Sequence, residues 1–183
     1  MPGDDRTDAE LVAAINRGPP GADGAFAALY LRHRDFVLRI ARRMTPDDAT
    51  AADLAQDAFL ALADQFPGFE LRAKMTTYLY SVVRNRAASM ARSRRSMASI
   101  DGGALSASPE SGADAEGLAA LRDAVDRLPE AQREIVLMRV VDGMSVGDVA
   151  IALGVPTGTV KSRLHAALGA LRAEPGLRRW FAE

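Results

Sequence analysis

The sequence predicts an all-α protein of two small helical domains joined by a flexible linker, and three observations carry that expectation. Apolar residues recur at helical spacing behind helix-start signals, with no alternating strand pattern anywhere. Residues 97–117, MASIDGGALSASPESGADAEG, have few large apolar side chains, too few to offset the entropy of ordering them. Residues 145–171, SVGDVAIALGVPTGTVKSRLHAALGAL, read as two helices meeting at a tight turn. The expected domains are 8–96 and 118–173, with the linker over 97–117 and a tail over 174–183.

Taken in order, the first seven residues look disordered. Asp8 can then cap a short helix through Ile15 that ends at Gly18-Pro19-Pro20-Gly21. A long helix over 24–44 places Phe26, Leu29, Tyr30, Phe36, Val37 and Ile40 inward, its arginines forming a solvated rim. Pro46 and two aspartates break it. Thr50 and Asp53 have capping-box spacing and open a helix whose buried side holds Leu54, Ala58, Phe59 and Leu62. Its other side shows Asp53, Gln56, Asp57 and Asp64, an acidic face with nothing nearby in sequence to neutralise it.

Phe66-Pro67-Gly68-Phe69 closes that helix, and a loop runs to Lys74. The next helix, 75–95, turns Leu79, Val82, Val83 and Met90 inward. Tyr78, Ser81, Asn85 and Arg92 line the opposite face, with Thr77 and Arg84 alongside. A ring that stacks, an amide that reads an edge and cations that follow phosphates suit unpaired bases. The same residues also suit a bundle with a half-buried tyrosine and solvated arginines, and this helix alone does not choose. Beyond the linker, helices over 118–128 and 130–141 lead through Asp142-Gly143 into the two-helix unit. The tail, with Trp180-Phe181, is expected to fold back as an apolar cap.

Within that unit Ser145 and Asp148 form a capping-box pattern, Gly154 ends the first helix and Pro156 blocks its continuation. The second helix buries Val160, Leu164, Leu168 and Leu171. Gly158, Ser162, Ala166 and Gly169 fall opposite, with His165 beside them and Lys161 and Arg163 on the flanks. Small residues in the centre and cations at the edges suit a helix lowered into a DNA major groove. Ordinary helical cores also contain such pairs, but their solvated faces are usually rich in Glu and Lys. GVPTGTVKS is not a phosphate-binding loop, because Thr159 and Val160 separate the glycine from Lys161.

The net charge of -1 conceals segregation. Residues 32–43 hold five arginines and one acid, 45–70 six acids and no cation, 84–95 five arginines and no acid, and 98–117 four acids and no base. Blocks of opposite sign imply different partners for different faces. Cysteine is absent, and two histidines alone build no metal site, so no metal or cofactor is expected. No nucleophile-base pair or paired carboxylates can be assembled, which argues against an enzyme. Neither a secretory signal nor a membrane-crossing run is present, and a cytoplasmic protein is expected.

ADLAQDAFLAL, TTYLYSVVRNRAASMARSRR and LPEAQREIVLMRVVDGMSVGDVAIALGVPTGTVKSRL together resemble the second and fourth conserved regions of bacterial sigma factors, the extracytoplasmic-function type above all. The resemblance implies a subunit that binds core RNA polymerase and directs promoter recognition, melting and initiation. It assigns Asp53, Gln56 and Asp57 to the polymerase clamp helices. It points the loop over 69–74, Tyr78 and Asn85 to a flipped base of the single-stranded -10 element, and Thr77, Ser81, Arg84 and Arg92, on or beside the same helix face, complete the expected -10 set. Thr159, Lys161, Ser162, Arg163 and His165 match the readers of duplex -35 DNA. The acidic linker resembles those that run through the polymerase channels, and inhibitory anti-sigma partners are usual for the family. Tyrosine stands at 78 where the family commonly has tryptophan, and Ala166 where it often has arginine. The alternative is a helix-turn-helix regulator that binds duplex DNA without polymerase.

Overall fold

Thr7, not Asp8, starts the first helix. In Thr7-x-x-Glu10 both halves of a capping box are in reach: Glu10 N–H donates to Thr7 Oγ1 at 3.3 Å and Thr7 N–H to Glu10 Oε2 at 2.6 Å. Asp8 is thereby released for other work. The resulting α1, Asp8–Asn16, buries Leu11, Val12 and Ile15. These details come from a computed structural model that describes residues 4–97 and 115–177, divided into two compact units, Met1–Ser106 and Ala107–Glu183. Of the linker expected over 97–117, residues 98–114 lie outside the described residues, as does the Trp180-Phe181 tail, while Met97 ends one helix and residues 115–117 open the next.

In the first unit α2, Ala22–Met44, is the central element, packing against α1 and against both helices that follow. Its buried line is Leu29, His33, Val37 and Ile40, a spacing of four, four and three. His33 takes the place expected of Tyr30, which is 41% exposed and set edge-on to Phe59. A histidine is tolerated in that line because its Nε2 lies 3.0 Å from Asp8 Oδ2. Arg32 donates to Asp8 Oδ1 and to the carbonyls of Asp4 and Arg6 at 2.8, 2.7 and 2.6 Å, so residues 4–7, expected to be disordered, are held on α2.

The next helix, α3, Asp48–Ala63, is capped by Asp47, whose carboxylate accepts from Thr50 N–H at 2.7 Å and Thr50 Oγ1 at 2.9 Å. The Thr50–Asp53 spacing that suggested a later start therefore lies inside the helix, one turn past the cap. Leu54, Ala58, Phe59 and Leu62 are buried as expected. A loop over 64–74 then reaches α4, Met75–Met97, which buries Met75, Leu79, Tyr80 and Val83 against α2 and α3.

The second unit consists of α5, Ala115–Asp126; α6, Glu130–Val136; α7, Val146–Leu153; and α8, Thr157–Ala173. Expected as one helix through Val141, α6 instead widens over Leu137–Val141 into a π-helical turn, with Asp142 N–H donating to Leu137 O at 3.1 Å. Arg133 closes the end of α5 by donating to the carbonyls of Val125 and Leu128 at 3.3 and 3.1 Å. A core of Ala124, Leu128, Val136, Ala167, Leu171 and Leu177 joins α5, α6 and α8, with Leu164 packed against it. Ser145 and Asp148 complete their capping box, and Gly154 ends α7 at φ 65°, with Val155 N–H donating to Ala150 O at 3.0 Å.

Candidate nucleic-acid interface

Three surfaces carry the predicted residues, and the chain builds each from a different helix. On α8 the buried line of Val160, Ala167 and Leu171 fixes which side faces out. Leu164 and Leu168, expected to be buried, are only half-covered, because the smaller Ala167 sits at the centre of the contact. Gly158, Lys161, Ser162, His165, Ala166 and Gly169 are all exposed, while Thr159 and Arg163 are half-buried. A Cβ added at Gly158 or Gly169 would meet nothing within 4 Å, so the surface there is bare helix backbone. Ser162 Oγ donates to Thr159 O at 3.1 Å, turning its hydroxyl onto the helix. Bare backbone flanked by Lys161, with His165 beside it, allows close approach of a polyanion with a cation at the rim.

On α4 the expected face is brought together with one exception. Asn85 and Arg92 are exposed, and Tyr78, Ser81 and Arg84 are half-buried. Thr77, placed by sequence on the rim of this face, is fully buried. Tyr80, one turn on, is buried with it where α4 packs against α2 and α3, so Thr77 supports the face from within. Ser81 Oγ donates to Thr77 O at 3.1 Å. The Tyr78 ring lies 4.8 Å from that of Phe69, and burial pushes its phenol above the ordinary value of 10.0. Phe69 itself is 9% exposed and packs 5.4 Å from Phe66, so the loop ahead of α4 supplies an aromatic wall.

On α3 Asp53 and Gln56 are exposed and Asp57 is half-buried. The acidic face is not wholly without a neighbour, because Arg86 of α4 brings its Nη1 to 4.0 Å from Asp57 Oδ2. Sequence reasoning missed the apolar side chains beside these acids. Leu60, one turn after Gln56, is 53% exposed and shares a groove between α2 and α3 with Tyr30, Leu38 and Phe59. The i, i+4 relation to Gln56 is the signal that points to Leu60. Asn16 was missed as well: its side chain binds the backbone of the loop at residues 68 and 69. Nothing local in sequence announces a contact that spans 53 residues.

Among the described residues no three of His, Cys, Asp and Glu gather as metal ligands, and no helix is long and apolar enough to cross a membrane. The family model described as "Sigma-70 region 2" matches residues 29–97, and that described as "Sigma-70, region 4" matches 118–171. An RNA polymerase sigma-E factor of Streptomyces avermitilis is 35% identical over 150 residues, 79% of this chain and 82% of that one. The ECF RNA polymerase sigma factor SigM of Mycobacterium tuberculosis is 35% identical over 161 residues, 87% of this chain and 80% of that one. In fold, the chain is similar to CnrH solved in complex with the cytosolic domain of CnrY, at TM-score 0.65 and 22% identity, covering 91% of this chain and 95% of that one. It is similar also to RpoE of Bartonella quintana in complex with the anti-sigma factor NepR, at TM-score 0.63 and 24% identity, covering 80% and 94%. With two helical units in the order that both family models require and relatives along most of its length, this chain belongs to the extracytoplasmic-function branch of the sigma-70 family of RNA polymerase sigma factors.

Proposed function

We propose that this sigma factor binds core RNA polymerase through α3, holds the melted -10 strand along α4 and sets α8 in the -35 major groove. The observation that carries the reading is the separation of three chemically unlike surfaces. Asp53, Gln56 and Asp57 stand beside exposed Leu60, a mixed acidic and apolar patch suited to a protein partner. Tyr78, Asn85 and Arg92 offer a ring, an amide and a cation along one side of α4, which suits unpaired bases. Lys161, Arg163 and His165 flank a face of small residues on α8, with Thr159 and Ser162 between them, which suits duplex DNA.

Promoter opening follows from where the cations and the ring stand. Bases that leave the duplex lose stacking, and a ring such as Tyr78 replaces part of it while Asn85 offers hydrogen bonds to an unpaired edge. Arg84 and Arg92 then follow the strand's phosphates. An anti-sigma partner belongs to the same proposal, on the precedent of RpoE with the anti-sigma factor NepR. No bond is made or broken by the chain itself.

The test is reconstitution: the purified chain and bacterial core polymerase, mixed and separated by size, with run-off transcription from mapped start sites. Co-elution and core-dependent transcripts are expected. Binding of duplex promoter DNA without any core association would favour the polymerase-independent regulator instead.

A further inference from the structure

The loop over 64–74 carries Phe69, the aromatic wall against which Tyr78 leans, and its geometry is set from a distant helix. Asn16, the last residue of α1, donates from Nδ2 to Phe69 O at 2.9 Å. Its Oδ1 accepts from Gly68 N–H at 2.7 Å and from Phe69 N–H at 3.2 Å. One side-chain amide thus satisfies both backbone groups of Phe69 and the N–H of the residue before it. Gly68 has φ 106°, a backbone that only glycine adopts freely, so the loop needs a fixed partner to hold it in this path. From Phe69 the order passes through rings: Phe66 lies 5.4 Å away on one side and Tyr78 4.8 Å away on the other.

We infer that Asn16 is a positioning residue for base recognition: by fixing the backbone of Gly68 and Phe69 it sets the buried Phe69 ring against which Tyr78, the ring that α4 offers an unpaired base, is held. The inference rests on the proposal above that α4 and this loop hold the melted strand. Asn16 lies outside the stretch matched by the region 2 family model, residues 29–97, so the first helix contributes to a site carried by the fourth. An asparagine suits the role because a peptide's N–H and C=O need an acceptor and a donor together, and one amide side chain supplies both. Alanine supplies neither. Aspartate keeps the acceptor for the two N–H groups and loses the donor to Phe69 O.

The experiment uses the full chain reconstituted with core polymerase and a pool of single-stranded 12-mers randomised over six positions. Bound strands are recovered by pulling down the polymerase and sequenced, giving a base preference at each position. Base preference is a ratio, and with the strands recovered by core polymerase alone subtracted as background, loss of folded protein or of polymerase affinity lowers the yield and leaves the preference unchanged. The wild-type complex is expected to show a preference at one position that Tyr78→Ala abolishes. Asn16→Ala should reduce the preference there by about fivefold, the scale of a lost hydrogen-bond set. Asn16→Asp should fall between the two, and it carries the test alone if the alanine variant cannot be recovered with polymerase. If the Asn16 variants keep the wild-type preference while Tyr78→Ala loses it, the amide is only a fastener and the inference is overturned. If Tyr78→Ala and Asn85→Ala also keep it, the reading of α4 has failed and the inference falls with it.

Discussion

At the scale of single residues, Asn85 and Tyr78 share a face but differ in surroundings. Asn85 is exposed, so Asn85→Ala removes hydrogen-bonding capacity without disturbing packing. Open-complex formation should fall about tenfold, the upper range for one hydrogen-bonding group, while polymerase association in a pull-down stays unchanged. Equal loss in both assays would contradict the division of roles between α3 and α4. Tyr78 is half-buried against the more deeply buried Phe69, and desolvation raises its phenol above 10.0. The folded chain therefore keeps this proton longer than the unfolded chain does. Stability should decline as pH climbs past about 10, and Tyr78→Phe should lessen that decline in alkaline denaturant titrations. Gly154 has φ 65° at the turn between α7 and α8. Gly154→Ala should lower stability by about 1 kcal/mol by denaturant melting, because a Cβ opposes that backbone.

At the scale of elements, what could be read in advance divides by the distance between partners. Ser145 and Asp148 lie three residues apart, and their box formed where expected. The cap expected at Asp8 falls instead on Thr7, because Glu10 three residues after Thr7 completes a capping box with it. The start of α3 was misplaced for a related reason: Thr50-x-x-Asp53 has the right spacing, but Asp47 directly after Pro46 claims the Thr50 N–H first. The buried lines of α3 and the exposed face of α8 follow from periodicity alone. Contacts between elements do not, and so His33 with Asp8, Arg86 with Asp57, and Asn16 with Phe69 were invisible in the sequence. The fully buried Thr77 belongs with them, since its small polar side chain resembles a surface residue until the packing of α4 is known. On α8 the bare positions carry a penalty in helix propensity. Gly169→Ala has open space and should raise stability by about 1 kcal/mol while weakening duplex binding, which thermal melting and a -35 duplex competition assay would separate.

At the scale of the whole molecule, the proposed function gives each of the two units one DNA-facing helix, and neither contact need be strong alone. Held together on one polymerase, the second contact becomes effectively intramolecular and gains from local concentration. Inserting half a helical turn, about 5 base pairs, between mapped promoter elements should therefore abolish most run-off transcript, since it rotates one groove away. An unaffected yield would mean that only one unit reads DNA. The pairing of α2 bears on a different property, the response to ionic strength. Of the five arginines over 32–43, Arg32 is bound to Asp8, Arg34 to Asp35 and Arg42 to Asp48, while Arg39 lies over the Phe36 ring. Cations already matched within the protein displace few counterions from a nucleic acid, so Arg32, Arg34 and Arg42 add little to the electrolyte sensitivity of promoter capture.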